Sequence, residues 1–352
     1  MGKTGIVDPD KYDYRTDEVL ERKLKRSVEN GTFSETDLTN INNYLNFAKV
    51  TKRMSNNTAW VLVSDIIVIR RLLNNEFHRC TEEDVYKAVR ELKSTPVSPT
   101  FAKDRSNPKV RSQNTVIHYL TSLKKFFKFL ISKNISKIDV ERIDSIQLPK
   151  KNLLTFTPSD ILDQDEIEAL VKACMNHRDM AFVTMLYDGG YRSKEICTMK
   201  WRDVKFEESF VITETTVKTG VPRRTTLTRS VPYLMMWRND YPGEASGDNA
   251  VFISRNGTPF KYGNAEKLIQ DLKARAEENG FVFQHKISLY QFRRANITHD
   301  ANANRPISHI CMEKWGTSYS KEIERYNKPQ QDEVQKSKLI ASGMKIPKKR
   351  LC

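Results

Sequence analysis

Through the first 147 residues the apolar positions recur at helical spacing. Ser34 and Asp37 have the chemistry of a helix start in which a side chain and a backbone N–H cap each other, and Leu38, Ile41, Tyr44, Leu45 and Phe47 follow. Trp60, Val63, Ile66, Ile67, Ile69 and Leu72 line one face of about five helical turns. Thr81 with Asp84 opens another helix, with Val85, Ala88, Val89 and Leu92 on one side. Pro96, Pro99 and Pro108 break the pattern and predict a loop. Beyond it, Val116, Tyr119, Leu120, Leu123, Phe126, Phe127 and Leu130 form the apolar face of one more helix.

The pattern then changes. Pro149, Lys150, Lys151, Pro158 and Ser159 mark an interdomain linker. Asp163 with Glu166 caps a helix running to Met175, and a second runs from Arg178 to Asp188. The β-branched run from Ser209 to Val217 predicts a strand, Lys218-Thr219-Gly220 a turn, and Arg223 to Leu227 the return strand. From Asn264 the chain is helical again, broken near Gly280, Arg305-Pro306, Gly316 and Pro329. The expected fold is α+β and mostly helical, with a small antiparallel sheet in the second half. The expected divisions are a helical extension (1–54), a helical domain (55–147), a linker (148–160), a mixed domain (161–330) and a tail (331–352). In the tail, Asp332, Val334, Leu339 and Ile340 suggest one more helix, packed on its own domain or on a neighbouring subunit, ahead of a basic end.

At 352 residues the chain is too long for one comfortable core. Its 59 Lys and Arg against 44 Asp and Glu leave a formal charge of +15, a field that favours polyanions, although a merely basic protein would share it. Arg111, Lys124, Lys125 and Lys128 surround the aromatic helix, either as a solvated face or as followers of a phosphate backbone. The 5 cysteines are scattered without zinc-site spacing, so they read as reduced thiols of a cytosolic protein. His299 and His309 have only Asp300 nearby, and no metal is expected. The polar start lacks a signal-peptide core, and no apolar run approaches membrane-spanning length. A soluble cytoplasmic protein needing no cofactor is the expectation.

Cutting DNA without a metal requires a nucleophile, cations to neutralise a pentacoordinate phosphorus, and an acid for the departing 5′ oxygen. Arginine suits the second task because its planar fork holds two oxygens and stays charged. The run Leu186-Tyr187-Asp188-Gly189-Gly190-Tyr191-Arg192-Ser193-Lys194-Glu195-Ile196, continued by Met199, Trp201 and Asp203, resembles the first motif box of the tyrosine recombinase (phage integrase) family. Lys218-Thr219-Gly220, with Arg223 and Arg224 behind it, resembles that family's β-hairpin lysine segment and follows Arg192 by 26 residues. Tyr290-Gln291-Phe292-Arg293-Arg294 resembles the His-x-Leu-Arg-His box, with Tyr290 and Arg294 departing from both histidines. Trp315-Gly316-Thr317 resembles the Leu-Gly-His/Trp box. Thr317 stands 9 residues before Tyr326, at the register of the family's His or Trp, although Trp315 could fill that space if the turn is rearranged.

The resemblance covers nearly the whole chain and implies a helical, SAM-like core-binding domain ahead of a catalytic domain. It implies Arg192 and Arg293 as phosphate-holding arginines, Glu195 as a supporting carboxylate, Lys218 as the acid and Tyr326 as the nucleophile. Tyr319 is the rival nucleophile. Tyr290 and Thr317 would add hydrogen bonds, and Arg111, Lys124, Lys125, Lys128, Arg223, Arg224 and Arg294 would hold DNA. It further implies a double-stranded DNA partner and a tetramer on two DNA sites, monomeric or dimeric when free, with integrase activity of the kind an archaeal mobile element carries. A type IB-like topoisomerase and a catalytically silent DNA-binding relative remain alternatives.

Overall fold

The computed structural model describes residues 16–94, 111–150, 161–216 and 220–325. They fall into two compact units, divided in the linker region.

The first unit is helical: α1 (Asp17–Glu29), α2 (Glu35–Lys52), α3 (Asn56–Arg70), α4 (Glu82–Ser94), α5 (Gln113–Ser132) and α6 (Val140–Asp144). The capping box foreseen at Ser34 and Asp37 is present at the start of α2. Asp37 does more than cap, because its carboxylate also accepts Arg70 Nε at 2.7 Å and the Phe77 N–H at 3.1 Å, fastening α2 to the end of α3. The aromatics of α5 are the centre of the core. Tyr44 packs on Phe126 and Phe129 with ring centroids 5.5 and 5.1 Å apart, and Phe77 meets Phe126 edge-on at 4.9 Å. Leu20, Leu24, Ile41 and Tyr44 share this core with Val63, Ile66 and Leu120. Residues 16–54, set apart by the sequence pattern as an extension, therefore share a core with the helices that follow.

The second unit contains α7 (Gln164–Lys172), α8 (His177–Asp188), α9 (Ser193–Cys197), strands β1 (Val204–Phe206), β2 (Val211–Thr216) and β3 (Pro222–Leu227), then α10 (Val231–Asp240), α11 (Tyr262–Glu278), α12 (Leu289–Asn302) and α13 (Ile307–Trp315). A short 3-10 turn spans Lys321–Arg325. The sheet is antiparallel in the order β1-β2-β3, with Val211 opposite Leu227 and Thr215 opposite Arg223. Its inward face, Val211 and Leu227, joins Phe182, Leu186, Tyr191, Phe252 and Phe292 in one core. The described residues are thus mostly helical with one small antiparallel sheet, as the sequence pattern predicts. β1 and α10 are additions that the pattern did not mark. No helix among the described residues is long and apolar enough to cross a membrane.

Candidate active site

The site is built around the turn that leaves α8. Gly190 adopts a φ of +54°, and a Cβ there would lie 2.4 Å from Asn296 Oδ1 of α12. Glycine answers both the dihedral and the close approach. Asp188 secures the preceding turn, its Oδ2 accepting the Thr228 N–H at 2.8 Å, the Ser230 N–H at 3.0 Å and the Ser230 hydroxyl at 2.9 Å. The chain then sends Tyr191 into the core, hydrogen-bonded to Thr213 of β2, and places Arg192 at the N-cap of α9.

Arg192 and Glu195 close a local loop. Arg192 Nη1 donates to Glu195 Oε1 at 2.8 Å, and the Arg192 N–H donates to Oε2 at 2.9 Å. The same Oε2 accepts Arg223 Nη2 at 2.5 Å. Burial raises the pKa of Glu195, but Arg223, Arg293 and Arg192 outweigh it and hold the carboxyl below its ordinary range. Glu195 is therefore an anion that orients arginines, and the Arg192 side chain keeps 29% of its surface open.

Arg293 reaches the same turn from α12. Its Nη1 donates to the Gly190 carbonyl at 2.6 Å and its Nη2 to the Lys314 carbonyl at 2.9 Å. Its guanidinium lies 5.2 Å from the Trp315 ring centroid. Two arginines far apart in sequence are thus brought to one backbone turn. Gly316 ends α13 with a φ of +71°. Past it, Thr317 is exposed and donates its hydroxyl to the Tyr319 carbonyl at 2.9 Å. Trp315 is buried, and its Nε1 donates to Glu322 Oε2 at 2.9 Å. Ile323 packs with Trp315, Ile297, Ile310 and Cys311, so the segment leading to residue 326 is seated on α12 and α13. Tyr290 opens α12 half-exposed, with the Arg294 guanidinium 4.7 Å from its ring centroid.

Lys218 and Tyr326 lie outside the described residues, as do the loop expected near 96–108, most of the linker and the tail. Two expected DNA-facing residues, Arg223 and Lys124, are turned to partners within the protein. The Arg223 side chain is fully buried, paired with Glu195 and donating to the Glu313 carbonyl at 2.6 Å. β3 alternates, and Arg223 lies on the inward face with Thr225 and Leu227. Lys124 turns to the end of α6 and donates to the Asp144 and Ile146 carbonyls at 2.9 Å each. Lys128 is exposed but pairs with Asp144 at 2.5 Å. Lys125 is exposed, Arg111 lies 5.9 Å from the Tyr119 ring centroid, and Arg224 faces outward beside Glu214 at 2.9 Å.

The pattern also passed over Lys314 and Glu313. α13 places Ile310, Cys311 and Lys314 on its buried side, a three-and-four spacing that was the available signal. Asp163, Glu166 and His285 gather within 4.8 Å in the manner of a metal cluster. Glu166 is instead engaged by protein donors: Oε1 accepts the Gln284 and His285 N–H groups at 2.8 and 3.0 Å, and Oε2 accepts the Asp163 N–H at 3.1 Å and meets His285 Nδ1 at 2.7 Å. That arrangement is a helix cap extended into tertiary structure.

Residues 160–332 match the family model described as the phage integrase family. Over 108 residues the chain is 32% identical to tyrosine recombinase XerA of Pyrococcus horikoshii, covering 31% of this chain and 33% of that one. A match to tyrosine recombinase XerC of Anoxybacillus flavithermus is 20% identical over 269 residues, 74% of this chain and 84% of the relative. The match spans only a third of the Pyrococcus protein and 54% of a tyrosine recombinase from Thermosipho africanus. Among solved structures, the Tn1549 transposon integrase in complex with circular intermediate DNA has a TM-score of 0.63 at 15% identity, over 85% of this chain and 98% of that one. A lambda integrase dimer bound to a COC′ core site has a TM-score of 0.60 at 13% identity, over 82% and 76%. At such identities the likeness is one of fold.

Proposed function

The chain belongs to the phage integrase family of tyrosine recombinases, and from that premise we propose that it is a site-specific DNA recombinase acting through a 3′-phosphotyrosyl bond at Tyr326. Arg192 and Arg293 hold the scissile phosphate, and Glu195, braced by Arg223, keeps Arg192 aimed. The Tyr326 hydroxyl attacks phosphorus, the bond to the 5′ oxygen breaks, and Lys218 delivers a proton to that oxygen. Tyr290 and Thr317 contribute hydrogen bonds, but a phenol and an alkanol are poor bases near neutral pH, so they orient rather than deprotonate. A partner strand's 5′ hydroxyl then reverses the attack. Because an aryl phosphodiester stores the energy of the broken bond, no nucleotide is consumed.

One observation carries this reading: the Arg293 guanidinium is anchored on the Gly190 carbonyl, two residues before Arg192, so arginines separated by about a hundred positions serve one locus. The partner is double-stranded DNA, to which the exposed Lys125, Arg224 and half-buried Arg294 contribute positive charge. Strand exchange between two duplexes calls for several protomers, and a tetramer on two sites, assembled from free monomers or dimers, meets that need.

Nicked duplexes tiled across the DNA flanking the gene test the proposal. The wild-type chain is expected to leave a protein–DNA adduct that survives SDS, and Tyr326→Phe is expected to leave none. Relaxation of supercoiled DNA lacking those sites would instead indicate a topoisomerase, and DNA binding without any adduct a silent relative.

A further inference from the structure

α13 carries a lysine whose ammonium is wholly enclosed. The Lys314 side chain has 0% of its surface exposed, and its Nζ donates to the Gly189 carbonyl at 3.1 Å and to Glu313 Oε1 at 2.8 Å. Its own carbonyl accepts Arg293 Nη2 at 2.9 Å, while Arg293 Nη1 holds the Gly190 carbonyl at 2.6 Å. Two cations from different helices therefore grip consecutive carbonyls of the turn that leads into Arg192, and they are joined to each other through the backbone of residue 314. Glu313 is in turn held by Arg305 Nη2 at 2.7 Å, and Arg305 Nη1 reaches Asp300 at 2.6 Å. This chain of charges links the end of α12, α13 and the turn.

Burying an ammonium is costly, and a methionine or leucine would fill similar volume without that cost. Burial pushes the Lys314 pKa down, while Glu313 and Asp300 pull it back. A cation in this place therefore adds little to stability, whereas a fixed donor on Gly189 is what the adjacent arginine requires. We propose that Lys314 is a positioning residue of the reaction: its ammonium clasps the Gly189 carbonyl beside the Gly190 carbonyl held by Arg293, and so sets the turn that aims Arg192 at the scissile phosphate. The inference rests on the recombinase reading above.

The test is single-turnover cleavage of the nicked duplex by full-length protein at saturating DNA, in a double-mutant cycle. Lys314→Met is expected to bind the duplex within about twofold of wild type yet cleave roughly 30-fold more slowly or worse. In an Arg192→Lys background, where no arginine is left to aim, the same change should cost less than about threefold. Equal losses in both backgrounds, or a wild-type rate for Lys314→Met, overturn the inference alone. Should Lys314→Met fail to fold, Lys314→Leu, which also fills the space without a donor or a charge, enters the same cycle, and the same outcomes support or overturn the inference. A wild-type chain that forms no adduct overturns the recombinase reading and this inference together.

Discussion

Glu195 and Arg223 form an ion pair at 2.5 Å in which both side chains are almost wholly buried. The pair joins α9 to β3, and through Arg223 Nη1 it reaches the backbone of α13 at Glu313. Removing one partner leaves the other charge enclosed without its counterion. Arg223→Met is therefore expected to destabilise the second unit by about 3 kcal/mol, the low end for a broken buried pair because Arg192 still serves the carboxylate. Urea unfolding measures this, and adding Glu195→Gln should recover part of the loss.

Acid should weaken the same arrangement. The folded-state pKa of Glu195 lies below its ordinary value of 4.5. Its contribution is thus fully present above that value and is lost as pH falls through the depressed folded value. Unfolding curves at neutral pH and at steps below pH 4.5 should show stability falling, and Glu195→Gln should be less stable at neutral pH but lose less on acidification.

Arg293→Ala removes a cation from the proposed phosphate site and two hydrogen bonds from the turn and α13. Cleavage should fall by roughly two to three orders of magnitude. DNA binding, spread over many phosphates, should persist in a mobility-shift assay. Undiminished cleavage would remove Arg293 from the site.

Trp315 ties the Arg293 guanidinium to the segment ahead of residue 326, stacking on one and donating to Glu322 at 2.9 Å. Trp315→Phe keeps an aromatic face but loses the donor, leaving the exposed Glu322 carboxylate to water and the segment without this tie. A stability loss of about 1 kcal/mol is expected, with slower cleavage and unchanged DNA affinity. Glu322→Gln, which retains an acceptor, should cleave near the wild-type rate in the same assay.

Much of this fold is legible locally. Ser34 with Asp37 and Asp163 with Glu166 declare helix starts because capping is short-range chemistry, and both boxes are present. The β2–β3 hairpin is legible because β-branched residues alternate on both sides of a turn. β1 has three residues, too few to alternate, and α10 shows its methionines to solvent in place of a clean apolar stripe. Charged residues mislead for a different reason. Arg223 and Arg224 are neighbours of equal charge, and only the alternation inherited from Leu227 separates the buried one from the exposed one. Lys314 reads as a solvated lysine until α13 is rolled so that Ile310 and Cys311 face inward. In both cases the sequence holds the face but not the buried partner, since Glu195 and Gly189 lie tens to more than a hundred residues away.

The proposed chemistry centres on one oxygen atom, and peptide mapping addresses it directly. The SDS-stable complex formed on a nicked duplex would be digested with nuclease and protease, and the nucleotide-bearing peptide sequenced by tandem mass spectrometry. A phosphodiester on Tyr326, with the DNA attached through its 3′ end, is the expected result. A nucleotide on Tyr319, or attachment through a 5′ end, would contradict it.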